Sequence, residues 1–180
     1  IELLEKGDIQ YLVFETLAER TIAREHLDRM KNPEKGYNPW LAERMKRALP
    51  IAVEKGIKLI TNMGAANPES AADAILAIAG ESGINNLKIA VILGDNIIQE
   101  LYGFDTTILE TGQPLSVIKD RMVSANAYLG ADLIVKALEE GADVVVTGRM
   151  ADPSLFLGPM MFELGWSYDD YEKLGQGSVV

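Results

Sequence analysis

The sequence predicts an α/β fold: a mostly parallel sheet with helices on both faces, forming an incomplete portion of a larger domain. Three observations carry this. Four short runs rich in β-branched and aromatic residues, at 9–14, 57–61, 87–93 and 144–147, are spread along the chain. Stretches of helical period lie between them. Each run also passes at once into small or polar residues that lead towards a helix start. Such β–α alternation favours parallel pairing with right-handed crossovers.

The bulk composition bounds the rest. The chain has 180 residues, enough for a single domain, and 48% are apolar, enough for a real core. The formal net charge is −10, from 27 acidic and 17 basic side chains, with no basic run. Nucleic acid is therefore not an expected partner. There is no cysteine, which excludes disulfides, thiolate metal sites and a cysteine nucleophile in this chain. The single histidine, His26, is the only residue that could complete a Ser-His-Asp triad. No apolar run approaches a membrane span, so no membrane is expected and the cytoplasm is the default compartment.

The elements follow in order. Residues 1–5 read as the end of a helix closed by Lys6 and Gly7. A chain that opens inside a helix is expected to be a piece of a longer one. The run 9–14 (IQYLVF) is the first strand. Thr16 and Glu19 have the spacing of a capping box, opening a helix to about Met30. His26 lies in it among charged neighbours and reads as a solvated surface histidine.

Residues 32–38 (NPEKGYN) form a loop on composition. Asn38 and Pro39 supply an N-cap and a first helical residue, and Leu41, Met45 and Leu49 fall on one face. Pro50 either kinks this helix or splits it, and Gly56 ends it. The run 57–61 (IKLIT) is the second strand, followed by the small-residue turn NMGAANP. Asn67 and Pro68 repeat the cap, and Ala71, Ile75 and Ile78 mark a buried stripe. Gly83 closes that helix.

The run 87–93 (LKIAVIL) is the third strand, with Gly94, Asp95 and Asn96 opening the next turn. A short helix is expected at 97–102. Residues 106–109 could form a short edge strand, 111–114 a turn, and 115–121 are ambiguous. A helix follows at about 132–140 and ends at Gly141. The fourth strand, 144–147, runs into Gly148 and Arg149. A helix carrying Leu155, Phe156, Met160 and Met161 comes next, then a last short helix at 168–174 and an unclosed tail at 177–180.

In a parallel sheet all four strand-end turns lie on one edge, so Glu15-Thr16, 62–67, Gly94-Asp95 and 148–152 should converge. Helix N-termini there favour anions. Asn67 and Asp152 also read as ordinary N-caps, which occupy some of those N–H groups. Arg149 is the leading candidate for binding a carboxylate or phosphate; the alternative is a salt bridge to Asp152 or Glu15. Asp95 fits a base, a magnesium ligand or a cap, and Glu15, Asp95 and Asp152 would suffice for magnesium. Phosphate-loop, dinucleotide-fingerprint and serine-elbow signatures are absent, so the residues name no cofactor. Asn126 and Tyr128, just before a helix, could line the pocket.

The stretches FETLAERTIA, PEKGY, ITNMGAANP, SANAYLGA and TGRMADPSLFLGP together resemble the acyclic terpene utilisation family AtuA, across nearly the whole chain. The motif positions matched are Glu15, Asn62, Gly64, Asn67, Asn126, Gly148, Arg149 and Asp152. The resemblance implies a place in bacterial breakdown of citronellol- and geraniol-type terpenoids, alongside a biotin-dependent acyl-CoA carboxylase. It transfers no catalytic residue. It also implies that an N-terminal Gly-rich segment and a C-terminal remainder lie outside residues 1–180, and that Gly94-Asp95-Asn96 departs from a Gly-Asp-Asp turn.

Two functions are expected from these readings. One is an enzyme or binding protein for a small anionic molecule such as a CoA ester. There Asn62, Gly64, Asn67, Asn126, Gly148, Arg149 and Asp152 hold the ligand, and Glu15 or Asp95 serves as acid or base. The other is a non-catalytic partner subunit of the carboxylase, which predicts an exposed apolar patch large enough to bind a partner and no deep pocket at the strand ends. A nucleotide-binding domain is the weaker third. A homo-oligomer is expected on base rates alone.

Overall fold

All four predicted strands form, and all run parallel. In the computed structural model, which describes residues 1–179, β1 (Tyr11–Phe14), β2 (Lys58–Thr61), β3 (Ile89–Ile92) and β4 (Val144–Thr147) make one sheet in the order β1-β2-β4-β3. Each is four residues long, so the flanks of the longer predicted runs lie outside the ladder. The predicted tail ends at Val180, which lies outside the described residues.

The strand order decides where the helices go. The first two crossovers, β1 to β2 and β2 to β3, step the same way across the sheet, and the return to β4 steps back between β2 and β3. With right-handed connections, the helices of the forward steps share one face and those of the return step take the other. The packing agrees. Leu41, Met45 and Leu49 of α3 (Leu41–Lys55) and Ile75 of α4 (Pro68–Glu81) bury against Leu59, Val144 and Val146. On the opposite face, Ile134 and Leu138 of α6 (Asp132–Glu139) and Leu155 of α7 (Ser154–Leu164) bury against Ile60 and Val145. Alternate residues of β4 thus face two cores, which is why VVVT carries no polar–apolar alternation and is buried throughout.

Several element boundaries differ from expectation for local reasons. The helix after β1 is α2 (Glu19–Lys31), capped from Ala18 rather than Thr16. Thr21 Oγ1 accepts the Ala18 N–H at 2.7 Å, while the Thr16 N–H donates to Asn62 Oδ1 at 2.9 Å. The Thr16/Glu19 capping box therefore does not form, because a distant asparagine takes Thr16. Asn38 does not cap α3 directly: its Oδ1 accepts the Trp40 N–H, and the helix begins at Leu41. Pro50 neither splits α3 nor ends it. It sits on the exposed side, where the carbonyl it deprives of a partner can meet water. Residues 106–109 hold only a single bridge, Thr107 to Pro114, and no strand. Residues 115–121 resolve into two 3-10 turns, Leu115–Val117 and Lys119–Arg121. The short helices α1 (Glu2–Lys6), α5 (Ile98–Leu101) and α8 (Tyr171–Gly177) complete the set, α8 starting three residues later than expected.

Candidate functional site at the carboxyl ends of the strands

Register brings the four strand ends together. Phe14 pairs with Thr61, Thr61 with Val146, and Ile92 with Thr147, so the turns that follow all leave from one edge. From β2 the chain enters α4 on one face, and from β4 it enters α7 on the other. The point between those two turns is the topological switch point, the usual ligand position in open α/β sheets.

The turn after β1 is held from β2. Buried Asn62 accepts the Thr16 N–H on Oδ1 and donates its amide to Glu15 Oε1 at 3.0 Å. Glu15 Oε1 also accepts the Leu17 N–H at 3.0 Å, and Asn38 Nδ2 reaches Thr16 Oγ1 at 3.2 Å. Glu15 itself remains exposed.

After β2, Gly64 is a packing requirement. A Cβ there would lie 2.5 Å from the Thr147 carbonyl oxygen and 2.8 Å from Pro68 Cα. The missing side chain lets the β2 and β4 turns touch. Asn67 caps α4 as expected, its Oδ1 accepting from the Ser70 N–H. Its amide also donates to the Pro33 and Lys35 carbonyls, both at 2.8 Å, and to Ser70 Oγ. Asn67 is fully occupied in tying the 32–38 loop to α4.

After β3, Asp95 is 5% exposed and its Oδ2 accepts from Asn126 Nδ2 at 2.9 Å and from the Arg149 N–H at 2.8 Å. Oδ1 accepts no hydrogen bond among the described residues. Asn126 is fixed further by a backbone bridge to Asn96. Gly148 leaves room for this carboxylate: a Cβ there would meet Asp95 Oδ2 at 2.6 Å and both Asp95 Oδ1 and the Ala65 carbonyl oxygen at 2.8 Å.

Arg149 is only 2% exposed. Its Nη1 donates to the Leu17 carbonyl at 2.6 Å, its Nη2 to Asp152 Oδ1 at 2.5 Å, and the guanidinium stacks 4.3 Å from the Tyr128 ring centroid. The ion pair to Asp152, open as an alternative in the sequence, is present, and no ion pair to Glu15 accompanies it among the described residues. Asp152 does not make the N-cap expected of it; Pro153 stands in the N-cap position of α7, which has no side-chain cap. The Asp152 side chain is 57% exposed, so this pair has one sealed end and one open end. The Tyr128 hydroxyl donates to Glu19 Oε1, which lowers the Glu19 carboxyl below its ordinary range, with Arg149 adding to the effect; the same contact raises the Tyr128 phenol.

His26 departs from expectation. It is 6% exposed, not solvated, and its Nε2 has no hydrogen-bond partner among the described residues. Burial lowers the imidazole pKa, while neighbouring Asp95 and Asn126 oppose that shift. The structure thus adds to the strand-end edge a residue that its charged chain neighbours concealed. One signal was available: Ile22, four residues earlier on the same helical face, is buried with it.

No group of three or more His, Asp or Glu side chains among the described residues is arranged to hold a metal. Glu15, Asp95 and Asp152 do not form such a cluster. A separate groove runs along the free edge of β1, where Leu3, Tyr11, Val13, Phe156, Met160 and Leu164 line it. No helix among the described residues is long and apolar enough to cross a membrane.

Among known proteins, one family model, described as "Acyclic terpene utilisation family protein AtuA", matches residues 1–180, the whole chain. No curated protein matches, and no solved structure matches.

Proposed function

We propose that this chain, which belongs to the acyclic terpene utilisation family AtuA, binds a small anionic intermediate of terpenoid breakdown at the carboxyl edge of the sheet. The ligand class is a branched carboxylate or its CoA ester. The carrying observation is the one-sided burial of the Arg149–Asp152 pair. The guanidinium is fixed by the Leu17 carbonyl and the Tyr128 ring, so it is already oriented. Among the described residues its Nη2 is met by one exposed carboxylate, which a ligand carboxylate or phosphate can replace at little desolvation cost. Asn126, Gly148 and the 62–67 turn lie along the same edge. If the chain is an enzyme, Asp95 is the better placed acid or base, because it is buried beside a fixed hydrogen-bond set and its Oδ1 accepts no hydrogen bond among the described residues; Glu15 is exposed and spent on its own turn.

The test is calorimetry with coenzyme A, 3-methylbutanoyl-CoA and 3-methylbutanoate. Asp152→Ala unmasks Nη2 and should raise affinity for these anions several-fold. Arg149→Lys loses the planar fork and should lower it about tenfold or more. Affinities that stay level in both variants would rule out Arg149 as the anion contact.

A second reading, a non-catalytic partner of a biotin-dependent acyl-CoA carboxylase, is favoured by the apolar groove along β1, with Leu3, Phe156 and Leu164 exposed. Co-purification of the carboxylase with this chain, lost on Phe156→Asp but kept on Arg149→Lys, would support it.

A further inference from the structure

We propose that the groove between α6 and α7 is a second binding site, which takes a small uncharged aliphatic alcohol. It is separate from the anion assignment, since neither Arg149 nor Asp152 lines it. The two helices touch at Gly158, where a Cβ would stand 2.6 Å from Ile134 Cγ2 and 3.3 Å from the Ala131 carbonyl oxygen. Between them and the chain that follows lies a cavity of about 650 Å³, lined also by Tyr168 and by Leu174 of α8. Ligand pockets span roughly 300–1,000 Å³, so there is room for a small molecule.

The lining divides by chemistry. Leu133, Leu157, Met161 and Leu174 supply its apolar surface. Ser154, in the first turn of α7, is its one buried polar residue, at 6% exposure. A serine in a helix commonly turns its hydroxyl to a nearby backbone group. The Ser154 hydroxyl makes no hydrogen bond among the described residues, and it is not sealed either: the sealed side-chain atoms without partners are His26 Nε2 and Arg149 Nε. It therefore has access to the cavity that Ser154 lines. A hydroxyl both donates and accepts, so it can meet an incoming hydroxyl in either sense. Left unmet in a nearly buried place it is costly, and a ligand oxygen removes that cost.

Charge decides the ligand class. Asp132, Lys136 and Glu139 also line the cavity, all three at exposed positions. No charged residue of the lining is buried, so an ion placed against Ser154 would give up its water with no counter-charge sealed beside it. Two carboxylates against one ammonium disfavour an anion further. An alcohol loses the hydration of a single hydroxyl and recovers it from Ser154, while its alkyl body covers the leucines and Met161.

The experiment labels the leucine and methionine methyl groups of the full chain with 13C and titrates it with 4-methylpentan-1-ol and, separately, with 4-methylpentanoate. The alcohol should move the Leu157, Met161 and Leu174 methyl resonances saturably, and the carboxylate should bind there at least about tenfold more weakly. Ser154→Ala removes one hydroxyl and little volume, so it should weaken the alcohol by about two- to tenfold. Methyl groups that ignore the alcohol, a carboxylate bound as tightly as the alcohol, or a Ser154→Ala affinity equal to that of wild type overturns the site. The first two outcomes need only the wild-type protein, so misfolding of the variant cannot obscure the answer.

Discussion

Replacing Gly148 by alanine tests whether the Asp95 carboxylate is seated on the β4 turn as the geometry requires. The glycine does not adopt a left-handed backbone, so the argument is steric alone. The new Cβ would stand 2.6 and 2.8 Å from the two Asp95 oxygens and 2.8 Å from the Ala65 carbonyl oxygen. Ordinary contact needs several tenths of an ångström more, and Asp95 cannot retreat without stretching its 2.8 Å bond from the Arg149 N–H and its 2.9 Å bond from Asn126. Overpacking of this kind costs about 1–3 kcal/mol, and losing a hydrogen bond to a charged group costs about 1.5–3 kcal/mol. A total of roughly 2.5–6 kcal/mol is a large share of the 5–15 kcal/mol typical of a domain. For a chain of this size each kcal/mol lowers Tm by roughly 2–4 °C. Thermal and urea unfolding, followed by circular dichroism, read this directly. The sharper form is a double-mutant cycle with Asp95→Ala, which removes two of the three clashing atoms. The double variant should be less unstable than the sum of the singles by roughly 2 kcal/mol. Additive costs, or an unchanged Tm for Gly148→Ala, would refute the seating of Asp95 on Gly148.

Two further outcomes concern stability. Asn67→Asp keeps the cap acceptor but puts a carboxylate against the Pro33 and Lys35 carbonyls, so it should destabilise by about 2–3 kcal/mol, close to Asn67→Ala; a near-neutral Asn67→Asp in urea unfolding would mean that only the cap matters. His26 has a folded pKa below its ordinary value, chiefly through burial, so the unfolded chain takes up a proton that the folded one resists. Its contribution is full above about pH 6.5 and is lost as pH falls through the lowered folded value. Urea unfolding at pH 7.5 and pH 5.5 should therefore show a smaller acid loss in His26→Gln than in wild type, and equal losses would contradict burial of a neutral imidazole.

The local patterns that announced the fold were reliable because they are set by short-range periodicity. The runs at 9–14, 57–61, 87–93 and 144–147 each contain an observed strand, and the Leu41, Met45, Leu49 stripe is buried as its spacing required. The Asn67–Pro68 helix start held for the same reason, since cap and first turn lie within four residues. The Thr16/Glu19 box failed because Asn62, forty-six residues away, offered Thr16 a better buried acceptor.

What the sequence determined by itself, then, was the α/β class, the parallel sense of the sheet and the single edge on which the polar turns gather. Alternation and turn chemistry are local and leave few topologies open. Tertiary structure alone decided the insertion of β4 between β2 and β3, which sets the switch point. It also decided the sealing of Arg149 under Tyr128 with Asp152 at its open end, and the burial of His26 beside Asp95. Each depends on partners distant in the chain, because whether a polar side chain is free or spent is fixed by which elements pack over it, and neighbouring residues do not encode that.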